Sequence, residues 1–217
     1  NSDITKPYSK KMEALSDVRD GSTGEIKKGY LTIEAAVLSK GNKMPLPVYE
    51  KVFSVSEKGF LSETDENLKC LEFLSANFRK TSVRTLDRGF DAKDYYRYFL
   101  ERDEKFIIRV KENRNIIYKN KTCNIMDVAK KYKGNYCMGF TDRNGKKIQC
   151  KISYIPVRLC AFPPKRPCTC CSVWFWEKSN AAAYKHGNTG NITEEKAVYY
   201  CYKSLSYEME DRRILPF

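Results

Sequence analysis

The segment RTLDRGFDAKDYYRYFLERDEKFIIRVKENR, residues 84–114, contains one carboxylate at a position suited to chemistry. Its pattern predicts strand, turn, helix and strand, with Asp87 where the first strand stops. Ligands of α/β sheets usually bind at the carboxyl ends of strands. Mg²⁺ suits such a carboxylate, because it binds a few carboxylates together with substrate phosphate oxygens. Two such ions could promote in-line attack by a water or a 3′ hydroxyl on a phosphodiester.

A purely structural role for Asp87 is open as well. Aspartate at the end of a strand is a common turn former, and its side chain can cap the first turn of the next helix. Arg88 and Asp91 would then be solvated neighbours. The spacing alone favours this turn role over a metal site.

The elements around Asp87 predict an α/β protein. Residues 29–55 give two β-rich runs around the turn SKGNKMP, which indicates a hairpin. A helix is predicted from Glu63 to Phe78, with Leu68, Leu71, Phe73 and Leu74 on one face. SVRTL predicts a short strand. Residues 91–104 predict an amphipathic helix with Asp91 as its N-cap, and KFIIRVK predicts a returning strand.

The sequence changes character twice further on. Residues 115–160 predict strands around turns such as DRNGKK, either as an inserted β subdomain or as the far edge of the sheet. From Pro163 onward, no period of 2 or 3.6 is sustained, and Cys, Trp and Pro are concentrated in PPKRPCTCCSVWFW.

Composition favours one globular domain, or a domain with an insertion, and an anionic partner. The 217 residues are 41% hydrophobic, and 40 Lys and Arg against 27 Asp and Glu give a net charge of +13. The scattered cysteines Cys70, Cys123, Cys137 and Cys150 are expected to be reduced thiols. No apolar run of membrane length and no signal segment occurs, so we expect a cytoplasmic protein without a membrane partner. Because residue 1 is Asn, we expect the chain to begin partway through a longer protein.

Two segments together resemble a known family. NSDITKPYSKKMEALSDVRDGSTGEIKKGY and LDRGFDAKDYYRYFLERDEKFIIRVKEN are similar to the catalytic domain of insertion-sequence-four family DDE transposases, over about residues 1–160. The resemblance implies an RNase H-like α/β fold, a mixed sheet with flanking helices and a β-rich insertion. It implies an enzyme that uses Mg²⁺ or Mn²⁺ to cleave and transfer DNA strands. Its partner would be double-stranded DNA, at the transposon ends and at the target site. It also allows a homodimer on DNA and a nucleoid-associated bacterial location.

The resemblance assigns roles to particular residues. Asp87, first in DRGFD, takes the place of the family's second catalytic Asp and binds metal. The first catalytic Asp of the D-x-[ST] pattern would fall one residue before Asn1. Asp3 is the runner-up for that role, and an exposed terminal residue is the favoured interpretation of it. Apart from the resemblance, basic residues beside the presumed first catalytic strand could neutralise DNA phosphates: Lys6, Lys10, Lys11, Arg19, Lys27 and Lys28. For any single lysine, a solvated surface position is the favoured alternative. Arg88 is a stronger candidate for DNA binding because it adjoins Asp87.

The third carboxylate should lie in Y-x2-R-x3-E-x6-K, and this chain lacks that spacing. ITEEKAVYYCYK offers Glu194 and Glu195, but the Tyr and Arg positions fail. If the codons behind YKSLSYEMEDRRILPF are read one nucleotide later, they permit YLMRWRIEEYFR, which contains Y-x2-R-x3-E. The Trp is forced by Met209 and Glu210, whereas the other residues depend on chosen silent bases. The same shift permits apolar strands from RPCTCCSVWFW and SNAAAYKHG.

We therefore expect a frameshift near 162–165 and an unselected tail that packs poorly. The expected domains are 1–113 as the partial RNase H-like core, 114–163 as the β-rich insertion and 164–217 as the tail. With one carboxylate for two metals, the chain as given is predicted to be catalytically inert.

A rival interpretation takes the tail at face value. The residue types for zinc are present in Cys160, Cys168, Cys170, Cys171 and His186. Their spacings fit no standard zinc motif. DNA binding without catalysis is a further alternative. Tyr95, Tyr96, Tyr98 and Phe99 are predicted to be helix core and rim rather than base-stacking groups.

Overall fold

The computed structural model describes residues 2–9, 11–20, 23–38, 44–78, 82–132, 136–141, 147–155, 157–160, 171–176 and 179–186. Within 136–154 and 171–186 it describes the backbone. Helices and strands are mixed in open sheets, which confirms the α/β prediction at this coarse level. The chain divides into two units, Asn1–Arg79 and Lys80–Phe217.

The first unit is an antiparallel sheet with one helix. Its elements are β1 (Ser2–Thr5), β2 (Ser16–Arg19), β3 (Ile26–Val37), β4 (Leu46–Phe53) and α1 (Glu63–Asn77). Strands β1, β2 and β4 each pair with the long β3. The predicted hairpin is confirmed, because Leu31 pairs with Phe53 and Val37 with Leu46. Ile33, Phe53 and Cys70 form the core cluster between the sheet and the helix.

Helix α1 begins as the sequence predicts. The Ser62 side chain accepts a hydrogen bond from the Asp65 N–H at 3.0 Å, which satisfies a backbone donor of the first turn. Leu71 is buried and Leu74 packs on the core cluster. Phe73 is instead 40% exposed and lies beside Tyr49. The buried face of the helix is therefore narrower than the leucine and phenylalanine pattern predicts.

The second unit begins with the predicted strand, helix and strand. These are β5 (Val83–Leu86), a 3₁₀ turn (Arg88–Phe90), α2 (Lys93–Glu101) and β6 (Lys105–Arg109). Strands β5 and β6 run parallel, from Val83 opposite Lys105 to Leu86 opposite Ile108. All four aromatic residues assigned to the helix core, Tyr95, Tyr96, Tyr98 and Phe99, are buried, as predicted.

The remaining elements form two sheets. They are β7 (Asn115–Tyr118), β8 (Lys121–Asn124), α3 (Ile125–Lys130), β9 (Tyr136–Thr141), β10 (Lys147–Ile155), β11 (Arg158–Leu159), β12 (Cys171–Trp176) and β13 (Ser179–His186). The first sheet has the order β11-β7-β8, and the second has the order β5-β6-β13-β12-β10-β9. Of residues 115–160, strands β9 and β10 lie at the far edge of the six-stranded sheet, whereas β7, β8 and β11 form a sheet of their own. Helix α3 was not predicted.

The tail contributes backbone to the six-stranded sheet. Strand β12 pairs with β10 and β13, and β13 pairs with β6. This pairing differs from the poor packing expected of residues 164–217. The expected boundaries at 113 and 163 differ from the division at residue 79, and they stay predictions together with the frameshift. Among the described residues, no helix is long and apolar enough to cross a membrane.

Candidate functional site at the end of strand β5

Asp87 lies directly after β5, at the carboxyl end of a parallel strand, where the sequence places it. Its carboxylate Oδ1 accepts a hydrogen bond from the Gly89 N–H at 2.7 Å and caps the 3₁₀ turn. The side chain is exposed, and Gly89 alone among the described residues hydrogen-bonds it. The turn role proposed for Asp87 is therefore present, and the second carboxylate oxygen, Oδ2, is left for a ligand.

Gly89 lies close to the Asp87 carboxylate and leaves little room for a side chain. A Cβ built on Gly89 would lie 3.0 Å from Asp87 Oδ1. A side chain there would press on the oxygen that receives the N–H bond. The D-R-G order thus holds the Asp87 carboxylate against the backbone of the turn.

Asp91, the last residue of DRGFD, corrects the sequence interpretation. It neither caps α2 nor lies in solvent: Ala92 is the N-cap, without a side-chain hydrogen bond, and Asp91 is buried. Asp91 Oδ1 accepts from the Tyr96 hydroxyl at 2.6 Å, and Oδ2 accepts from the Lys111 N–H at 2.7 Å. Hydrogen bonds from α2 and from the loop after β6 replace the local capping role, because a buried carboxylate needs several donors.

The Arg114 guanidinium completes the surroundings of Asp91. Its Nε donates to Asp91 Oδ2 at 3.1 Å, one terminal nitrogen lies 2.8 Å from Oδ1, and the same nitrogen donates to the Asp91 carbonyl at 2.6 Å. This two-pronged contact joins the loop after β5 to the loop after β6. The functional candidate Asp87 and the anchored Asp91 thus stand at opposite ends of one short turn. Sequence spacing gave no signal for the contact, since Arg114 lies 23 residues beyond Asp91.

Within the part of the chain that the structure describes, Asp87 belongs to no group of acidic side chains that could hold two metal ions. Among the described residues, no group of three His, Cys, Asp or Glu side chains could hold a metal ion. Asp3 lies in β1 opposite Leu31, in the first unit. One carboxylate does not fit a two-metal centre, so no metal-dependent step is derived from these residues.

The predicted DNA-binding residues fall into distinct groups. Arg88 is exposed on the 3₁₀ turn beside Asp87 and pairs with no described carboxylate. Lys6, Lys11 and Arg19 are exposed in the first unit, likewise without an ion pair to a described residue. Lys10 lies outside the described residues.

Lys27 and Lys28 have acidic neighbours. Lys27 Nζ lies 2.9 Å from Asp20 Oδ2 and 3.2 Å from Glu25 Oε2, and Lys28 Nζ lies 2.8 Å from Asp17 Oδ1. The hydrogen bond with Asp20, followed by that with Glu25, raises the pKa of Lys27. These pairs offset part of the charge that a phosphate would meet, so Lys27 and Lys28 are weaker candidates than Lys6, Lys11 and Arg19.

The zinc interpretation of the tail lies mostly outside the described residues. Cys160 is an exposed free thiol. Cys168 and Cys170 fall in an undescribed segment, whereas Cys171 and His186 are described by their backbone in β12 and β13. The structure therefore brings no zinc ligand set together among the described residues.

No protein-family model and no curated protein matches this chain. The resemblance to the transposase family therefore stays a prediction from the sequence.

Proposed function

We propose that this chain derives from the catalytic domain of a DDE-type transposase, binds double-stranded DNA and has lost strand cleavage. The observation that carries the proposal is Asp87, an exposed carboxylate at the carboxyl end of β5 that closes the D-R-G turn. In an α/β sheet this edge is the usual ligand site. Asp87 is the residue that would bind a metal ion in an intact relative.

The proposed RNase H-like core has support in the order of elements. An antiparallel sheet in residues 2–53 is followed by helix α1 and then by the parallel pair β5 and β6 with α2 between them. The β-rich segment that the family carries after its second acidic residue corresponds to β7–β11. We also propose that the third acidic position was lost by the frameshift near 162–165.

The DNA half of the proposal depends on charge. A net charge of +13 on 217 residues favours a phosphate-rich partner. Arg88 adds an exposed cation directly beside Asp87, and it forms no ion pair with a described carboxylate. Such contacts give binding that weakens as salt rises, because phosphate neutralisation releases counterions.

A plasmid assay tests both halves. Supercoiled DNA is incubated with the chain in Mg²⁺ or Mn²⁺, alongside Asp87→Ala, and a gel shift is recorded at rising salt. We expect a salt-sensitive shift and no nicking by either protein. Metal-dependent nicking that disappears in Asp87→Ala would contradict the loss of cleavage, and the absence of any shift at low salt would contradict DNA binding.

A further inference from the structure

A basic surface lies at the end of the β7–β8 hairpin. The hairpin turns through Lys119 and Asn120, between Tyr118 and its register partner Lys121. Both turn residues have positive φ, 48° and 62°, as a two-residue hairpin turn of the primed type requires. We define the basic tip as Tyr118, Lys119, Lys121, Lys130, Lys131, Tyr132 and Arg158.

Two tyrosines bring the parts of the basic tip together. A hydrogen bond joins the phenol oxygens of Tyr118 and Tyr132, and their rings meet edge to face with centroids 6.3 Å apart. Lys119 Nζ lies 5.3 Å from the centre of the Tyr118 ring. Arg158 of β11 donates to the Asn120 side-chain oxygen at 3.2 Å. The turn, the end of α3 and β11 therefore converge at one place.

The charge of the tip is nearly all positive. Residues 115–132 contain four lysines, and Arg158 adds a fifth cation, whereas Asp127 is the one acid in that segment. Among the described residues, none of the five cations forms an ion pair with a carboxylate. The pKa of Tyr118 is lowered, first by the hydrogen bond with Tyr132. The hydrogen bond and charge of Lys119 and the charge of Lys131 lower it further. Electrostatics at this phenol thus favour a negative charge.

The chemistry of the tip selects its partner. The helix dipole favours lysine at the carboxyl end of a helix, and this explains the positions of Lys130 and Lys131. It does not explain Lys119 or Lys121, which lie in the hairpin. Ammonium groups with tyrosine hydroxyls beside them are typical donors to nucleic-acid phosphates. Binding to a membrane surface needs apolar anchors as well. Every exposed large hydrophobic side chain among the described residues belongs to positions 8–73, so the tip has none.

We propose that the basic tip binds the phosphate backbone of duplex DNA, in addition to the lysines of residues 6–28 and Arg88. This assignment rests on the proposed DNA-binding function. The contact is independent of sequence, since lysines and hydroxyls that meet phosphates position a protein without reading bases.

The test compares two variants that lose the same charge. Lys119→Asn with Lys131→Gln removes two cations from the tip, and Asn suits the positive φ at position 119. Lys58→Gln with Lys93→Gln removes two exposed lysines outside it and serves as the control. Fluorescence anisotropy on a mixed-sequence duplex gives Kd at several salt concentrations. We expect the salt slope of log Kd to fall by about 2 in the tip variant, at roughly 0.9 per lost phosphate contact, and to stay unchanged in the control.

Each outcome has one meaning. If the parent chain binds DNA and the salt slope is unchanged in the tip variant, the proposal that the basic tip binds DNA is wrong, and the proposed DNA-binding function stands. If the parent chain does not bind DNA, both the proposed function and the proposal for the basic tip are wrong. If the tip variant keeps its DNA binding but no longer binds phosphatidylserine vesicles that the parent chain binds, the tip belongs to a membrane surface and the proposal fails.

Discussion

At the scale of single residues, the two aspartates of DRGFD have opposite environments. Asp87 is exposed with one backbone donor, whereas Asp91 is buried with donors from Tyr96, Lys111 and Arg114. The sequence predicts the position of Asp87 because a strand end is visible as a hydrophobic run that stops. It does not predict the burial of Asp91, since that depends on a contact with Arg114 that no local pattern encodes.

Asp91→Asn tests whether the Asp91–Arg114 pair anchors the turn. Removing one charge of a buried, hydrogen-bonded pair costs about 3–5 kcal/mol of unfolding free energy. The matched control is Asp94→Asn, which breaks the exposed 3.4 Å pair with Arg97 on the same helix. Its expected cost is about 0.5 kcal/mol or less. Urea unfolding measures both, and equal effects would refute the anchoring role.

Cysteine reactivity provides a second test of burial. Burial raises the pKa of the Cys70 thiol to about 11, while Cys160 is exposed. Because the thiolate is the reactive form, we expect maleimide to label Cys160 far faster than Cys70 at pH 7.5 in the native chain. Peptide mass mapping over time follows each site. Equal labelling rates without denaturant would mean that Cys70 is not in the core of the first unit.

At the scale of elements, Gly29 shows why β3 can bind strands on both sides. It pairs with Thr5 of β1 and with Ser16 of β2. A Cβ at this position would lie 2.2 Å from the Ile4 carbonyl oxygen and 2.8 Å from a Val18 methyl carbon. Backbone cannot move aside as easily as a side chain, so the close approach of the strands requires glycine.

Gly29→Ala is therefore expected to destabilise the first unit by about 1–3 kcal/mol through overpacking. Ala36→Val, at an exposed position on the same strand, is the control and should change stability by about 0.5 kcal/mol or less. Denaturant midpoints of the two variants give the comparison. A Gly29→Ala protein as stable as the parent chain would show that β1 does not lie against β3 as described.

The contact between α1 and β4 predicts a pH dependence. Burial of Glu66 by itself would raise its pKa, but hydrogen bonds from Lys51 and Lys69, the latter at 2.7 Å, together lower that pKa below 4.5. A lowered native pKa stabilises the fold above the unfolded value, and this stability is lost as pH falls below about 4.5. Comparing unfolding free energies from pH 6 to pH 3, we expect a shallower decline for Glu66→Gln. An identical decline would exclude a contribution from this carboxylate.

At the scale of the whole molecule, local patterns predict most elements up to residue 109 and the strands of residues 115–160, but neither helix α3 nor the pairing of distant strands. The hairpin, α1, β5, α2 and β6 each carry a hydrophobic period of their own. Helix α3 was missed because its six residues are too short to display one. The pairing of β13 with β6 brings residues 184–186 to residues 107–109, and no sequence period encodes such a distant partner.

Hydrogen exchange tests that distant pairing. Strand β6 lies between β5 and β13, so its amides should be protected in the full chain. Deletion of residues 164–217 should speed exchange in 107–109 and leave α2 unchanged. If exchange in β6 is the same with and without the tail, the tail does not pair there in solution, and the poor packing expected of an out-of-frame segment would be correct.

The coding DNA provides the test of the proposed descent from a DDE transposase. Sequencing should run from about 30 codons before residue 1 to beyond residue 217, with translation in all three forward frames. Descent from a DDE transposase predicts an Asp codon immediately before Asn1 and YLMRWRIEEYFR in the plus-one frame of the tail. A plus-one frame filled with stop codons would contradict it and would make the Cys-rich tail a genuine part of the protein.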